Sequence, residues 1–549
     1  MRQVFRVVLI ALLVIVGMFV GQGSAVAHAE LLRSDPTSNV VLRNSPSFVQ
    51  LWFSEAVEAR ASQIKVYDND RKRVDKLRVE ATGDRKSIKV DLEQIGPGRY
   101  TVEWVILSAL DGHPTAGRLA FSVGTATAGA APSPAEGLAS ASATDASSQV
   151  AGTLPSPQDV LTRWASLLAS ALLFGGFALV LISRRPSAQW ASGDLEPSLA
   201  RFMLSTRSTM TIALVVLAAA SSAALLIQAS SLGDLSASGV LVLLGGTRYG
   251  SLWLARVVLI AGLAASIYQW KRNNTGFSLW TGLVTASILL LNFSLSSHAA
   301  ALEEGPLPVL TDWLHLLAAA AWMGGLVHLA RALLPVARAL KKKEEGSLGA
   351  VVLAPFSKLA ILCVSTLVLT GLYGAWLEVR PLSSVLATPY GWTLLVKLGL
   401  SLPALLLGFV NFRKVSRLSG DPRLAGDLPG SRALRSEALF GMAVFLAVAV
   451  LVAVPPGRGP SNVFPGSDIL GLAIVVVLLL LATTGVALWW RGALNAALER
   501  SLSVADIAKD RNASRHVKMP REGDARMLAG QLLPEAKGNA RNTKKDKRK

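Results

Sequence analysis

An aspartate and a histidine lie two residues apart in Asp111-Gly112-His113, just after a strand-like run that ends at Leu107. A carboxylate and an imidazole can share a metal ion, and Gly112 gives the turn the freedom to bring both side chains together. Taken alone, the motif fits equally well a surface turn that contains a histidine. A metal site needs further ligands, and the 549 residues include only six histidines and one cysteine.

The N-terminus offers a further ligand. Arg2 and Arg6 precede an apolar run at 7–20, and small residues ending in Ala-Val-Ala at 25–27 follow it, as in a secretory signal peptide. We therefore expect residues 1–27 to be a signal peptide, with an uncleaved anchor as the alternative. Cleavage would make His28 the first residue of the mature protein, and its α-amine and ring Nδ1 could then bind one ion together.

His28 and His113 would supply three nitrogens, and Asp111 an oxygen or a contact that orients the ligands. Planar nitrogen and oxygen ligands are the set that Cu(II) prefers, whereas Zn(II) usually needs a fourth strong ligand. Residues 28–124 contain no other histidine, no cysteine and no methionine, so this segment lacks soft ligands for Cu(I). The pattern predicts one Cu(II) ion bound by His28, Asp111 and His113.

Residues 28–124 have the pattern of a small all-β domain, since short alternating runs are separated by Gly, Pro, Asn and Asp. Several such strands in about a hundred residues indicate an Ig-like or cupredoxin-like sandwich. We expect strands within 47–57, 62–70, 86–95 and 99–107. Residues 125–158 are rich in Ala, Ser, Thr, Gly and Pro and nearly uncharged, which predicts a flexible linker.

The rest of the chain has the composition of a membrane protein, and 51% of all residues are hydrophobic. Eight apolar segments of spanning length lie within 159–455, and a ninth lies within 456–490. Lys and Arg concentrate in the loops that are cytoplasmic if the β domain is outside. We therefore expect a multi-pass protein of the cytoplasmic membrane, with residues 491–549 as a basic cytoplasmic tail that contacts water or lipid headgroups rather than nucleic acid.

Two segments of the membrane region recur in order. Residues 162–176 align without gaps to 311–325, sharing Thr, Trp and Gly-Gly, and 247–256 align to 388–397, sharing Thr and Tyr-Gly. Each copy holds four spans, and an even number gives both copies the same direction in the membrane. The repeat predicts an all-α bundle of parallel four-plus-four organisation with one extra helix.

Ionisable side chains inside these spans predict a path for a cation, because such groups are costly in lipid and mark functional sites. Asp312 and His315 are three residues apart and share a helix face. A helix–helix hydrogen bond is the structural alternative for His315. For Met323 and His328 the structural alternative is stronger, because an apolar thioether and one imidazole near an interface need no ligand. The candidate copper path comprises His298, Asp312, His315, Met323 and His328, where Cu(I) is a possible form of the metal.

The N-terminal segments "HAELLRSDPTSNVV", "LWFSEAV" and "GRYTVEWVILSALDGHPTAG" resemble the CopC family of periplasmic copper-binding proteins. That resemblance covers 28–124 and implies a small β-sandwich with Cu(II) bound at His28, Asp111 and His113. The Met-rich Cu(I) loop of some members is absent here.

The membrane segments "SSHAAAL", "DWLHLLAAAAWMGGL", "TPYGWTLLVKLGL" and "RSEALFGMAVFLAVAVL" resemble the CopD family of copper-resistance membrane proteins. That resemblance covers about 160–455 and implies movement of copper across the inner membrane, inward. His298, Asp312 and His315 are carried over as candidate ligands.

The sequence thus predicts a fused copper-binding and copper-importing membrane protein rather than an enzyme, with copper and lipid as its partners. Three alternatives stay open. The first is a haem-binding electron carrier with His298, His315 or His328 as axial ligands. The second is a histidine-brace copper oxidase, and the third is a copper sensor or store without transport. No nucleotide-binding P-loop is present, so any transport would be passive or driven by an ion or redox gradient.

Overall fold

The computed structural model describes residues 29, 31–83, 85–110, 112–124, 156–183, 196–273, 275–301, 306–333, 342–380, 383–418, 431–454 and 457–458. They all belong to the first of the two compact units of the chain, Met1–Thr483, and the second unit, Thr484–Lys549, lies outside them. The predicted signal peptide, ninth span and basic tail, and nearly all of the predicted linker, also lie outside the described residues.

Eight strands form the N-terminal domain: β1 (Leu31–Asp35), β2 (Val41–Leu42), β3 (Phe48–Phe53), β4 (Gln63–Tyr67), β5 (Asp75–Thr82), β6 (Ser87–Leu92), β7 (Gly98–Leu107) and β8 (Pro114–Val123). They make two four-stranded sheets in the orders β1-β3-β6-β5 and β2-β8-β7-β4. All neighbours are antiparallel except β2 and β8, which run parallel. The predicted all-β domain is confirmed.

The domain core lies between the sheets, because alternate residues of each strand point to the same face. In β3 this puts Val49, Leu51 and Phe53 inside, each at most 1% exposed. Phe53 meets Trp104 of β7 edge to face, with ring centroids 5.4 Å apart. One continuous apolar core therefore ties the two sheets together.

The predicted strands correspond to β3, β4, β6 and β7, whereas β1, β2, β5 and β8 had not been predicted. β1, β2 and β5 lie at sheet edges, and β5 is mostly exposed, so its apolar alternation is weak. β8 begins at Pro114 and includes Gly117, two residues that are rare inside strands. Gly117 fits because a Cβ there would lie 2.2 Å from the ring of Trp104.

Ten helices follow among the described residues: α1 (Pro157–Ser183), α2 (Glu196–Ser231), α3 (Ala237–Gly246), α4 (Arg248–Asn273), α5 (Gly276–Ser294), α6 (Leu307–His328), α7 (Lys342–Glu378), α8 (Ser384–Ala387), α9 (Pro389–Leu418) and α10 (Ser431–Ala453). A π-helical turn, Leu329–Leu333, extends α6. Eight helices are long and apolar enough to cross a membrane. The short helices α3 and α8 had not been predicted.

Both copies of the repeat place a short helix before their third long helix, and the Thr-x-Tyr-Gly sequence joins the two. Thr247 Oγ1 accepts a 3.0 Å hydrogen bond from the Gly250 amide, and Thr388 Oγ1 accepts one of 3.1 Å from the Gly391 amide. Each threonine therefore caps the helix that follows. Glycine is required because a Cβ on Gly250 would lie 2.2 Å from the carbonyl oxygen of Leu243.

The first helices of the two copies, α1 and α6, pack through their Gly-Gly pairs. A Cβ on Gly175 would lie 2.5 Å from the backbone nitrogen of Gly325, and one on Gly324 would lie 1.9 Å from the carbonyl oxygen of Ala171. Small residues let two membrane helices approach this closely. The shared Gly-Gly of the repeat is thus the contact between its copies.

The shared tryptophans tie each first helix to the last helix of the other copy. Trp164 Nε1 of α1 donates a 3.2 Å hydrogen bond to the carbonyl of Met442 in α10, and Trp313 Nε1 of α6 donates one of 2.9 Å to the carbonyl of Ser287 in α5. This exchange is what two parallel copies related by an axis along the bundle would make. It agrees with the predicted four-plus-four organisation.

Candidate functional site

The turn between β7 and β8 brings His113 to one end of the helical bundle. The amide of Ser108 donates a 3.0 Å hydrogen bond to the carbonyl of His113, and Gly112 has a φ of 73°, which glycine adopts without strain. His113 is 7% exposed. His28 and Asp111 lie outside the described residues, so the three-ligand Cu(II) site stays a prediction.

Polar side chains of the bundle hold this turn by its backbone. Gln228 Nε2, near the end of α2, donates a 2.9 Å hydrogen bond to the carbonyl of Gly112. Arg248, at the start of α4, donates from Nη1 to the carbonyl of Leu110 at 2.8 Å and from Nη2 to the carbonyl of Leu295 at 3.0 Å. These bonds fix the turn against the bundle without occupying the ring of His113.

The ring of His113 stacks on the ring of His298. Their centroids are 5.4 Å apart and the planes differ by 18°. His298 begins the 3₁₀ turn His298–Ala301 that follows α5, and it is 8% exposed. One histidine of the predicted outer site and one of the predicted membrane path are therefore neighbours.

Arg163, in the second turn of α1, contacts the same ring of His113. Its Nη2 lies 3.1 Å from His113 Nε2. A guanidinium can only donate hydrogen bonds, so Nε2 must accept with its lone pair. That lone pair is one that a metal ion could use, and Arg163 and a metal at Nε2 are therefore mutually exclusive.

From His298 the polar side chains continue into α6. Ser297 Oγ lies 3.1 Å from Asp312 Oδ2 and 2.8 Å from the carbonyl oxygen of Ser294, so these two acceptors share its one hydroxyl proton. Asp312 shares a helix face with His315. Lys397 of α9 and Glu378 at the end of α7 are close enough to interact electrostatically with Asp312. Asp312 is thus one member of a mixed-charge cluster and is not an isolated anion.

The surroundings of His315 define its tautomer. Its Nδ1 lies 2.8 Å from Thr370 Oγ1, and the Thr370 hydroxyl uses its proton to bond the carbonyl of Thr366 at 2.6 Å. Nδ1 must therefore carry the hydrogen that bonds Thr370, and Nε2 keeps its lone pair. A neutral imidazole oriented through its other nitrogen is the form in which histidine binds metals.

The remaining two path residues lie towards the opposite end of the bundle. His328 is fully buried, and its Nε2 donates to the carbonyl of Leu172 at 2.9 Å, which leaves the Nδ1 lone pair. Met323 packs on α10, since a Cβ on Gly441 would lie 2.3 Å from its sulfur. Met210 of α2 also contributes a thioether close to His328, because both side chains lie 2.7 Å from a Cβ built on Gly176.

Within the part of the chain that the structure describes, no three His, Cys, Asp or Glu side chains converge to hold a metal ion. The described membrane residues therefore do not form one closed site. Sequence reasoning missed the contacts of Gln228, Arg248, Arg163 and Met210. Their common signal, a polar or sulfur-bearing residue near a helix end or inside a span, is shared by many residues with no such role.

Three domain families match the chain in the order that the fold implies. A CopC domain matches residues 31–124, a copper resistance protein D-like N-terminal domain matches 155–309, and a copper resistance protein D domain matches 350–451. These matches agree with the observed fold, in which a β domain precedes eight long helices among the described residues. Together they define a CopC-type domain fused to a CopD-type membrane domain.

Individual relatives match to different extents. The copper transport protein CutJ of Bacillus subtilis is 30% identical over 450 residues, which cover 79% of this chain and 75% of CutJ. Protein YobA of Escherichia coli K12 is 35% identical over 99 residues, covering 18% of this chain and 79% of YobA. The crystal structure of CopC from Methylosinus trichosporium OB3b, with 28% identity and a TM-score of 0.17, covers 18% of this chain and 94% of that protein. The chain belongs to the copper-resistance family of CopC–CopD fusions.

Proposed function

We propose that this protein captures Cu(II) on its β domain and hands copper to its membrane domain, which moves it inward across the cytoplasmic membrane. The capture ligands are His28, Asp111 and His113. The proposal rests above all on one observation, the stacking of His113 on His298 with ring centroids 5.4 Å apart. A ligand of the donor and a ligand of the acceptor thus lie side by side.

Transfer at this contact requires little movement. The turn that carries His113 is held by Gln228 and Arg248, so the donor histidine stays at the mouth of the bundle. A bound ion can then exchange one imidazole for the other while remaining coordinated throughout, which avoids the cost of releasing a bare ion. Arg163 favours the exchange because it bonds the same nitrogen of His113 when the ion has left.

Beyond His298 the ion would meet Asp312 and then the Nε2 lone pair of His315. Ser297 connects the first two residues, since it precedes His298 and bonds Asp312. Met323 and His328 continue the path into the opposite half of the bundle. A succession of weak, two-ligand stations suits passage, because an ion must leave each station as readily as it arrives.

The proposed boundaries follow from the same reading. Residues 1–27 are a cleaved signal peptide, 28–124 form the extracytoplasmic domain, and 125–158 tether it so that the loaded donor stays at high local concentration. Residues 159–455 contain the eight spans, 456–490 a ninth, and 491–549 the cytoplasmic tail. N-terminal sequencing of the mature protein should begin His-Ala-Glu-Leu.

The test is copper accumulation in cells that express the full chain. We expect His298→Ala to lower accumulation severalfold, to near the level of cells without the protein, because the acceptor side of the contact is lost. Cu(II) binding by the purified variant should remain, because His28, Asp111 and His113 are intact. Ser296→Ala is the matched control, since Ser296 lies just beyond α5 and the partner of its hydroxyl among the described residues is the carbonyl of Asn292.

Equal accumulation in wild type and His298→Ala would contradict transfer through this contact. Equal accumulation in cells with and without the wild-type protein would contradict transport as a whole. A Soret band in the purified protein would instead favour the haem-carrier alternative.

A further inference from the structure

A second buried polar cluster lies in the half of the bundle that is remote from the β domain, and none of its residues belongs to the proposed copper path. Its members are Trp322 of α6, Asn411 of α9 and Glu437 of α10, which are 7%, 7% and 3% exposed. Asn411 Nδ2 donates a 2.7 Å hydrogen bond to Glu437 Oε2, and Trp322 also hydrogen-bonds the carboxyl group. The other oxygen, Oε1, lies over the backbone of Gly408.

The described partners of Glu437 are all neutral. Its own helix also carries Arg435. Among the described residues of the elements packed against it, α9 carries Arg413 and Lys397, the π-helical turn carries Arg331, and α6 carries His328, His315 and Asp312. In this described part of the chain, Glu437 forms no ion pair with any of them. On α1, Asp159 and Arg163 lie at the opposite end of the bundle. An ionised carboxylate inside a membrane is costly without a counter-charge, so this group needs either a proton or a cation.

The hydrogen bonds of Asn411 indicate that Glu437 takes a proton and not a cation. Its Oδ1 is buried and accepts no hydrogen bond within the described part of the chain, although its Nδ2 bonds Glu437. A carboxylic acid can receive one hydrogen bond from an amide and return one to the same amide's oxygen. A protonated Glu437 would thus satisfy the acceptor that a carboxylate leaves unsatisfied. If the Asn411 amide were turned the other way, its Oδ1 would face Glu437 Oε2. Two acceptor oxygens would then meet, and Glu437 would again need a proton between them.

The cluster adjoins the copper path. Trp322 and Met323 are neighbours on α6, and both contact α10, the first at Glu437 and the second one turn later at Gly441. A cation beside Met323 would therefore lie within about a helical turn of the carboxyl group, where charges interact strongly in a medium of low dielectric constant.

We propose that Glu437 is a proton-binding site, and that its proton and a copper ion occupy this half of the bundle alternately. The proposal builds on the proposed copper path. When Glu437 is ionised, it attracts the cation to Met323; when it is protonated, the attraction is gone and the ion can leave. No bond other than the O–H bond of the acid forms or breaks, and the proton is exchanged with water.

Infrared spectroscopy of the full-length protein at neutral pH tests the first half of this proposal. We expect a carboxylic-acid C=O band that disappears in Glu437→Gln and is retained in Glu103→Gln, which removes a partly exposed carboxylate of β7. Glu437→Asp, which keeps an acid at this position, should retain a shifted band even if the neutral variant folds poorly.

Copper binding by the bundle tests the second half. The protein carries His113→Ala to disable the outer site, and Cu(I) is supplied with ascorbate and a competing chelator. One proton lost per copper bound predicts that Cu(I) affinity falls about tenfold for each unit by which the pH is lowered. In Glu437→Gln that dependence should vanish.

An infrared band that Glu437→Gln leaves unchanged would overturn the proton site. An equal pH dependence in both proteins, or bundle binding that releases no proton, would overturn the alternation. These readouts need no uptake, so failure of cellular copper accumulation would count against the proposed function and not against the proton at Glu437.

Discussion

Replacing Arg163 with leucine should strengthen Cu(II) binding to the intact protein. Arg163 Nη2 lies 3.1 Å from His113 Nε2, and this hydrogen bond must break before a metal can use that nitrogen. Leucine keeps an apolar side chain at this position, adds no copper ligand, and removes both the charge and the donor. Because His113 is only 7% exposed, water reaches its ring poorly and does not fully replace the lost bond.

The size of the effect follows from the bond that is removed. A hydrogen bond to a charged donor contributes about 1.5–3 kcal/mol. If copper binding must break it, its removal should lower the dissociation constant for Cu(II) by roughly tenfold to a hundredfold. The same substitution should slow transfer to His298, because the group that replaces the departing ion is missing.

Competition titration of the purified full chain against a Cu(II) chelator measures this affinity. Arg78→Leu is the matched control, because Arg78 is exposed and its partner among the described residues is Glu80, on the surface of the β domain. The reasoning is refuted if Arg163→Leu and Arg78→Leu bind Cu(II) with the same affinity. Copper would then coordinate His113 through Nδ1, or the β domain would leave the bundle before it binds the ion.

Two further predictions concern the scaffold. Asp75→Ala should destabilise the β domain by about 3 kcal/mol, because the fully buried carboxylate bonds Arg73 at 2.9 Å and its loss leaves buried donors unpaired. Hydrogen exchange in the full chain measures this loss of stability. Exchange rates like those of the wild type would contradict the prediction. Gly324→Ala should lower the thermal stability of the bundle and abolish copper accumulation, because a Cβ at this position would lie 1.9 Å from the carbonyl oxygen of Ala171. Gly374→Ala is the control and should change neither quantity, because the space around Gly374 is open.

The local patterns of the sequence were sufficient for the architecture. Strands with strong alternation, such as β3 and β7, were predictable because one face of each must be apolar to line the core. Membrane helices were predictable because every residue of a span must suit lipid. Edge strands such as β5 were missed, since a strand that is mostly exposed has little apolar pattern. The short helices α3 and α8 were missed because each is shorter than a membrane span, the length at which an apolar segment predicts a helix.

The repeat shows how far sequence alone can go. It identified Trp164 and Trp313, and the Gly-Gly pairs at 175 and 324, as equivalent positions. It could not say that the glycines would touch each other or that each tryptophan would bond the opposite copy. An alignment shows which residues occupy equivalent positions in the two copies. Whether those residues touch depends on the axis that relates the copies in space.

The candidate site divides in the same way. The candidate copper ligands, the position of His113 in a turn after a strand, and the shared helix face of Asp312 and His315 could be predicted from the sequence, because each depends on residue type and local spacing. Only the tertiary structure placed His298 against His113, Arg163 on the same ring, and neutral partners around Glu437. Those relations join residues far apart in the chain, and the packing of the β domain on the bundle and of helix on helix decides them.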